Sequence, residues 1–145
     1  MKISTEYLGE IEFDETEIIT MEKGVIGFED YHKYILVNHP EPEMPYMWYQ
    51  SVEDTKVYFI VTNPFYFVEN YDFDLRDSVV ERLEIKEIED ILTLSLVVIP
   101  EKVKDTTLNL QSPIIVNKRI GISEQVILEE TFPLKHKIFA EGKVD

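Results

Sequence analysis

Along most of the chain apolar and polar positions alternate with a period near two rather than 3.6. "EIEF" at 10–13 sets acid against apolar residue twice, as a half-buried strand does. "KISTEY" before it reads as a weaker strand, and Gly9 between the two suits a tight turn. Further strands are predicted at "TEIITM" (16–21), "YILVN" (34–38), "YMWYQS" (46–51), "KVYFIVT" (56–62), "ILTLSLVVI" (91–99), "PIIVN" (113–117) and "QVILEE" (125–130). All are rich in Ile, Val, Tyr, Phe and Thr, which fit a pleated surface. Turn chemistry separates them: "EKG" at Gly24, "HPEPEMP", "SVED", "TNPF" and "NKRIGIS". The pattern predicts a mainly β fold, antiparallel, closed into a small barrel or folded as a sandwich, with one or two short helices.

The helical signal lies at 77–90, "DSVVERLEIKEIED". Asp77 is placed as N-cap, and Val79, Val80, Leu83 and Ile88 are placed on the apolar face. Glu81, Glu84 and Glu87 recur every three residues and are expected to line the opposite face, an exposed surface or a dock for a basic partner. In "NLQSPIIVNKRIGISEQVIL" (109–128) two strands are expected, joined by "KRIGIS" with Gly121 in the connection. Pro113 belongs at a strand start because it cannot donate to a ladder. Asn109 and Asn117 flank that strand, where their side chains bond to nearby backbone.

Composition narrows the chemistry. The 145 residues suit one domain over 1–145, and 44% hydrophobic residues supply a sizeable core. There are no cysteines, which removes disulfides and thiolate chemistry and points to a reducing, cytoplasmic setting. No apolar run approaches the roughly 20 residues that cross a bilayer. The formal charge is −15, and residues 1–100 carry all of it, with 22 Asp and Glu against 7 Lys and Arg. Direct nucleic-acid binding and anionic membranes are disfavoured, since both depend on Lys and Arg meeting phosphate. His32, His39 and His136 lack metal-ligand spacing, and no serine sits beside a base. Asp72 and Asp74 share one face of an extended segment without the rest of a calcium loop. No catalysis, metal or cofactor is expected. A nucleic-acid-mimicking acidic barrel or a small-ligand carrier stands as the alternative to a protein-binding module.

Four stretches in order along the chain resemble the FliW family of bacterial flagellar assembly factors. "KGVIGFED" matches the family turn at Gly24, Gly27, Phe28 and Glu29; "YQS" contributes Gln50 and Ser51; "TNPF" contributes Pro64. "NLQSPIIVN" followed by "EQVIL" contributes Asn109, Pro113, Asn117 and Gln125. Ile26, Tyr49 and Ser112 depart from the family's common proline, leucine and alanine, and the longer spacing from Gly121 to Gln125 opens the last hairpin to a changed register. The resemblance implies a largely antiparallel pseudo-barrel that binds two mutually exclusive partners. One is flagellin. The other is CsrA, an RNA-binding repressor of flagellin translation, which the factor holds off its message. No cofactor is implied.

Two sets of residues are candidates for these contacts. Phe28, Phe65 and Tyr66, with Tyr31 and Phe67, flank turns and suit aromatic anchors. Glu29, Glu69, Asp72, Asp74, Glu81 and Glu84 suit an acidic surface, and residues 69–90 are expected to form the edge that repels RNA phosphates. Spread over the roughly 7,700 Å² expected for this mass, −15 is too dilute to do so, and the acids must cluster.

Overall fold

The computed structural model describes residues 1–139 of the chain. Its strands are β1 (Lys2–Thr5), β2 (Gly9–Glu12), β3 (Ile19–Met21), β4 (Lys33–Asn38), β5 (Tyr46–Ser51), β6 (Tyr58–Thr62), β7 (Ile91–Val98), β8 (Thr107–Leu108), β9 (Ile114–Asn117), β10 (Ile122–Gln125) and β11 (His136–Lys137). One α-helix, α1 (Asp77–Arg82), lies between β6 and β7 among the described residues. Hydrogen-bonded neighbours run β7–β6–β5–β4–β3–β10–β9, and β9 returns to β7, so seven strands close on themselves. Closure removes the exposed edges that an open sheet would carry. Every pairing in the ring is antiparallel except β10 with β3, where Ile122 faces Thr20 and Ser123 faces Met21 in parallel. β7 is long enough to serve two neighbours on one side: its first half pairs β9, and its end carries β8.

The period-two pattern sorts side chains into two apolar layers. Met21, Tyr34, Tyr49, Val61, Leu94, Ile114 and Val116 point into the barrel and are essentially solvent-free. Tyr34 and Tyr49 stack with ring centroids 4.4 Å apart, and the Tyr49 hydroxyl meets Ser123 Oγ at 2.9 Å. Burial pushes the Tyr34 phenol up to about 12, so it stays neutral. The second layer lies on the outer face: Ile115 and Val97 from the strands meet Tyr71, Val79, Leu83, Leu110, Val126 and Leu128 from the segments between and after them. Tyr71 donates to the Leu110 carbonyl at 2.5 Å and packs edge-on against Phe132 at 5.0 Å.

Several expectations are corrected. Residues 15–17 form a 3-10 turn, so the strand predicted from 16 starts at Ile19. Asp77 is the first residue of α1, and Arg76 occupies the cap position without a side-chain bond. The helix stops at Arg82, and Glu84 adopts φ +52°, so Glu81, Glu84 and Glu87 do not share a helical face. Ile88 begins a separate 3-10 turn and is 80% exposed, not part of an apolar helix face. The strand predicted at 125–130 is shifted toward the N-terminus, to β10. Val126 and Leu128 are buried by the outer layer while their N–H groups bond to the Pro113 and Gln111 carbonyls.

The two asparagines prove to differ. Asn109 Oδ1 accepts from the Gln111 and Ser112 N–H groups, a local turn as expected. Asn117 also turns the chain locally, through Arg119 N–H, but its Nδ2 donates to the Leu83 and Glu84 carbonyls at 2.8 and 3.2 Å. It thereby fastens the end of α1 to the barrel, satisfying carbonyls that a helix terminus leaves open.

Candidate functional site

A tight turn over 24–31 closes one region of the barrel. Gly24 has φ +68°, and a Cβ there would lie 2.8 Å from Glu29 Cα and from the Phe28 carbonyl oxygen, so only glycine fits. Val25 plugs the interior at 2% exposure, which turns Ile26 and Phe28 outward at 55% and 43%. Phe28 rests edge-on against Phe59 at 5.1 Å. Glu29 accepts from the Gly27 N–H at 2.9 Å, and that bond holds its carboxyl below its ordinary range. Gln125 pins the turn from β10, accepting from Ile26 N–H at 2.8 Å and donating to the Ser112 carbonyl at 3.2 Å. Gln50 and Ser51 serve a different turn. Gln50 donates to the Thr55 and Val57 carbonyls, and Ser51 Oγ accepts from the Glu53 and Asp54 N–H groups, so both organise the β5–β6 connection.

The second surface is built by the segment between β6 and β7. Asn63 caps a 3-10 turn over Pro64–Tyr66, with its side chain accepting from Phe65 N–H at 2.9 Å and Pro64 buried at the first position. That cap holds Phe65 and Tyr66 outward, 46% and 70% exposed. They face different concavities. Phe65, Tyr71, Phe73, Leu75 and Ile88 line an open groove of about 430 Å³ with Asp72 and Asp74 at its rim. Tyr66 lines another, about 640 Å³, with His39, Met44 and Met47. The Glu130 carboxylate accepts from Asp74 N–H at 2.9 Å, which lowers its pKa, and Arg76 pairs with Glu129 at 3.0 Å. The C-terminal segment thus fixes the groove's rim.

Among the predicted contact residues, the structure brings Phe65, Asp72 and Asp74 into one groove. Phe28 and Glu29 sit on the separate turn, and Glu69, Glu81 and Glu84 are exposed elsewhere along 69–90. That segment holds nine acids against three bases. The chain exposes 9288 Å², more than its mass suggests, so unclustered charge is even more dilute than expected. Ile88, assigned from its spacing to the apolar face of a helix that ends before it, lines the groove instead.

Glu124 was missed, for nothing in "ISEQ" marks it. It is 8% exposed and receives Arg82 through two bonds, Nε at 2.9 Å and Nη2 at 2.8 Å, with Lys23 Nζ at 3.9 Å. The Arg82 bonds, and secondarily the Lys23 charge, hold its carboxyl below the ordinary range against the opposing effect of burial. Among the described residues no three His, Cys, Asp or Glu side chains are placed to hold a metal ion, and no helix is long and apolar enough to cross a membrane.

The family model described as "FliW protein" matches residues 2–138. The flagellar assembly factor FliW of Alkaliphilus metalliredigens is 39% identical over 142 residues, covering 97% of this chain and 88% of that protein. The protein of the same name from Caldicellulosiruptor bescii is 41% identical over 139 residues, covering 94% and 90%. A crystal structure of the flagellar assembly factor FliW superposes with a TM-score of 0.90 at 34% identity, covering 98% of this chain and 99% of that one.

Proposed function

The chain belongs to the FliW family of flagellar assembly factors, and from that premise we propose that it works by binding two proteins in turn. As a single cytoplasmic β domain it captures flagellin before export, as a chaperone does. When flagellin is scarce it holds the repressor CsrA off its message and so relieves repression of flagellin translation. It makes or breaks no covalent bond and needs no cofactor.

The observation that carries this reading is the groove where exposed Phe65 and Ile88 stand beside Asp72 and Asp74. Partly exposed aromatic residues in a concave, apolar setting are what interface centres use. The acidic rim suits a basic partner, as an RNA-binding protein must be. At a separation of about 8 Å each acid–phosphate pair repels by about 0.5 kcal/mol in water before screening. Several pairs along 69–90 therefore weaken RNA binding by about one to a few kcal/mol, provided the acids lie near the RNA track.

The test is a titration of purified CsrA and a labelled flagellin leader RNA with this protein, at several salt concentrations and with or without flagellin. Inhibition that fades with rising salt, and is reversed by flagellin, is expected. Inhibition unchanged by salt assigns the effect to a shape change in the repressor. Simple competition for the RNA groove assigns it to mimicry of nucleic acid, and absence of binding to both proteins overturns the proposal.

A further inference from the structure

The turn at 24–31 and the acidic segment at 69–90 are remote in sequence, yet both are anchored on two adjacent residues of β10. Alternation along the strand sends their side chains to opposite sides. Gln125 reaches the turn through the Ile26 N–H at 2.8 Å. Glu124 reaches α1 through the two-point contact with Arg82, and the turn again through Lys23, which immediately precedes Gly24. One nearly buried carboxylate thus stands between a cation that flanks the turn and a cation of the acidic segment. Beneath α1 the same element is held from β9, by Asn117 on the Leu83 and Glu84 carbonyls. A small concavity of about 210 Å³, lined by Lys23, Arg82, Glu84, Ser123 and Glu124, lies at this junction. It leaves the Lys23 and Arg82 side chains, 62% and 43% exposed, room to rearrange.

We propose that Glu124 is a positioning residue that couples the two surfaces, so that displacement of the 24–31 turn is felt at α1 and the acidic segment, and the reverse. The inference rests on the two-partner reading for its biological use: a partner seated on one surface then changes the other without touching it. Its physical content does not depend on that reading. Lys23 and Arg82 draw on the same carboxylate, so when one withdraws, the other gains a less shared partner and shifts toward it. Coupling of this kind is a free energy between two sites and acts equally in both directions.

The test uses the full chain alone, without either partner. Amide hydrogen exchange is followed residue by residue in the unaltered protein, in Lys23→Gln, in Arg82→Gln and in the double variant. Lys23 is exposed, so its loss leaves the fold intact. Lys23→Gln is expected to alter exchange at the Val80 amide of α1 and the Leu83 amide at its C-terminal cap, and Arg82→Gln at the Gly24 and Phe28 amides of the turn. Each change is expected to be about two- to fivefold, the range that a partly exposed ion pair carries. Barrel amides of β5 and β6 serve as the control for global loosening, and the double variant is expected to be non-additive. Changes confined to the segment carrying each substitution, adding up in the double variant, overturn the proposal. Because no partner is present, that outcome leaves the binding reading to its own titration, and failure of the titration leaves the coupling intact.

Discussion

The barrel interior and the layer over its outer face are both apolar, but different rules build them. The interior takes one side chain in two from regular strands, and the ladder places each in turn: Tyr34, Leu36; Met47, Tyr49; Phe59, Val61; Leu92, Leu94. The outer layer joins strand residues such as Ile115 and Val97 to residues from turns and irregular segments, Tyr71, Leu83, Leu110, Val126 and Leu128, which are positioned by individual bonds such as Tyr71 to the Leu110 carbonyl. A layer placed by a ladder leaves little at the surface. A layer placed residue by residue can present Phe65 and Ile88 to solvent while Tyr71 stays buried beneath them. Under the proposed binding role, the first layer would serve as scaffold and the second would present the contact residues.

The largest effect separating them is expected from Tyr49→Ala. Tyr49 is fully buried, stacked on Tyr34 and bonded to Ser123. Its loss should cost about 3–5 kcal/mol in denaturant unfolding, because the close-packed ring of strands cannot collapse onto the gap. Binding per folded molecule should be unchanged. If a partner's affinity falls as steeply as stability, the division between scaffold and contact layer is wrong. A smaller cost is expected at the junction of the two. Gly24→Ala forces an alanine to φ +68° and a methyl to 2.8 Å from Glu29 Cα, and should cost about 2 kcal/mol while displacing Phe28. Unfolding curves and partner binding should both respond.

The same contrast explains what the chain discloses before it is folded. Strand β5 was legible to its ends, because "YMWYQS" is flanked by prolines on one side and a Ser51-capped turn on the other. The interior follows from period two once strands are placed. The parallel pairing of β3 with β10 is not written locally, since it depends on closing a ring across a hundred residues. Nor are β8 and β11, whose two-residue ladders carry no period. "QVIL" misled because burial by a loop layer yields the same apolar run as burial in a sheet. On the surface, Phe65 and Tyr66 were legible as turn aromatics, whereas Ile88 and Glu124 owe their placement to neighbours far along the chain.

Glu124→Gln probes the link between the layers and should cost about 1–2 kcal/mol at neutral pH, part of the pair being open to water. Its sign with pH is fixed by the lowered carboxyl. The stabilisation is fully present above the unfolded carboxyl value of about 4.3 and is lost as pH falls through the lower folded value. The gap between unaltered and variant protein in urea midpoint should therefore be constant near pH 7 and close on acidification below about pH 4.3. A gap that instead widens with acid means that Arg82 does not hold the carboxylate.

Phe65→Ala should scarcely move stability, within about 0.5 kcal/mol, because the ring is 46% exposed and the Asn63 cap that shapes its turn bonds to backbone. Yet a central aromatic anchor commonly carries about 2 kcal/mol of binding, so affinity for a partner seated in the groove should drop more than tenfold. The two readouts must part for the comparison of layers to hold. Tyr71 lies in contact with Phe65, ring centroids 5.7 Å apart, and is 3% exposed, so it marks where the exposed ring gives way to the buried layer. If Phe65→Ala lowers the melting midpoint as a buried residue does, the anchor is structural, and the contact surface must be sought instead at Tyr66 and Met44 across the turn.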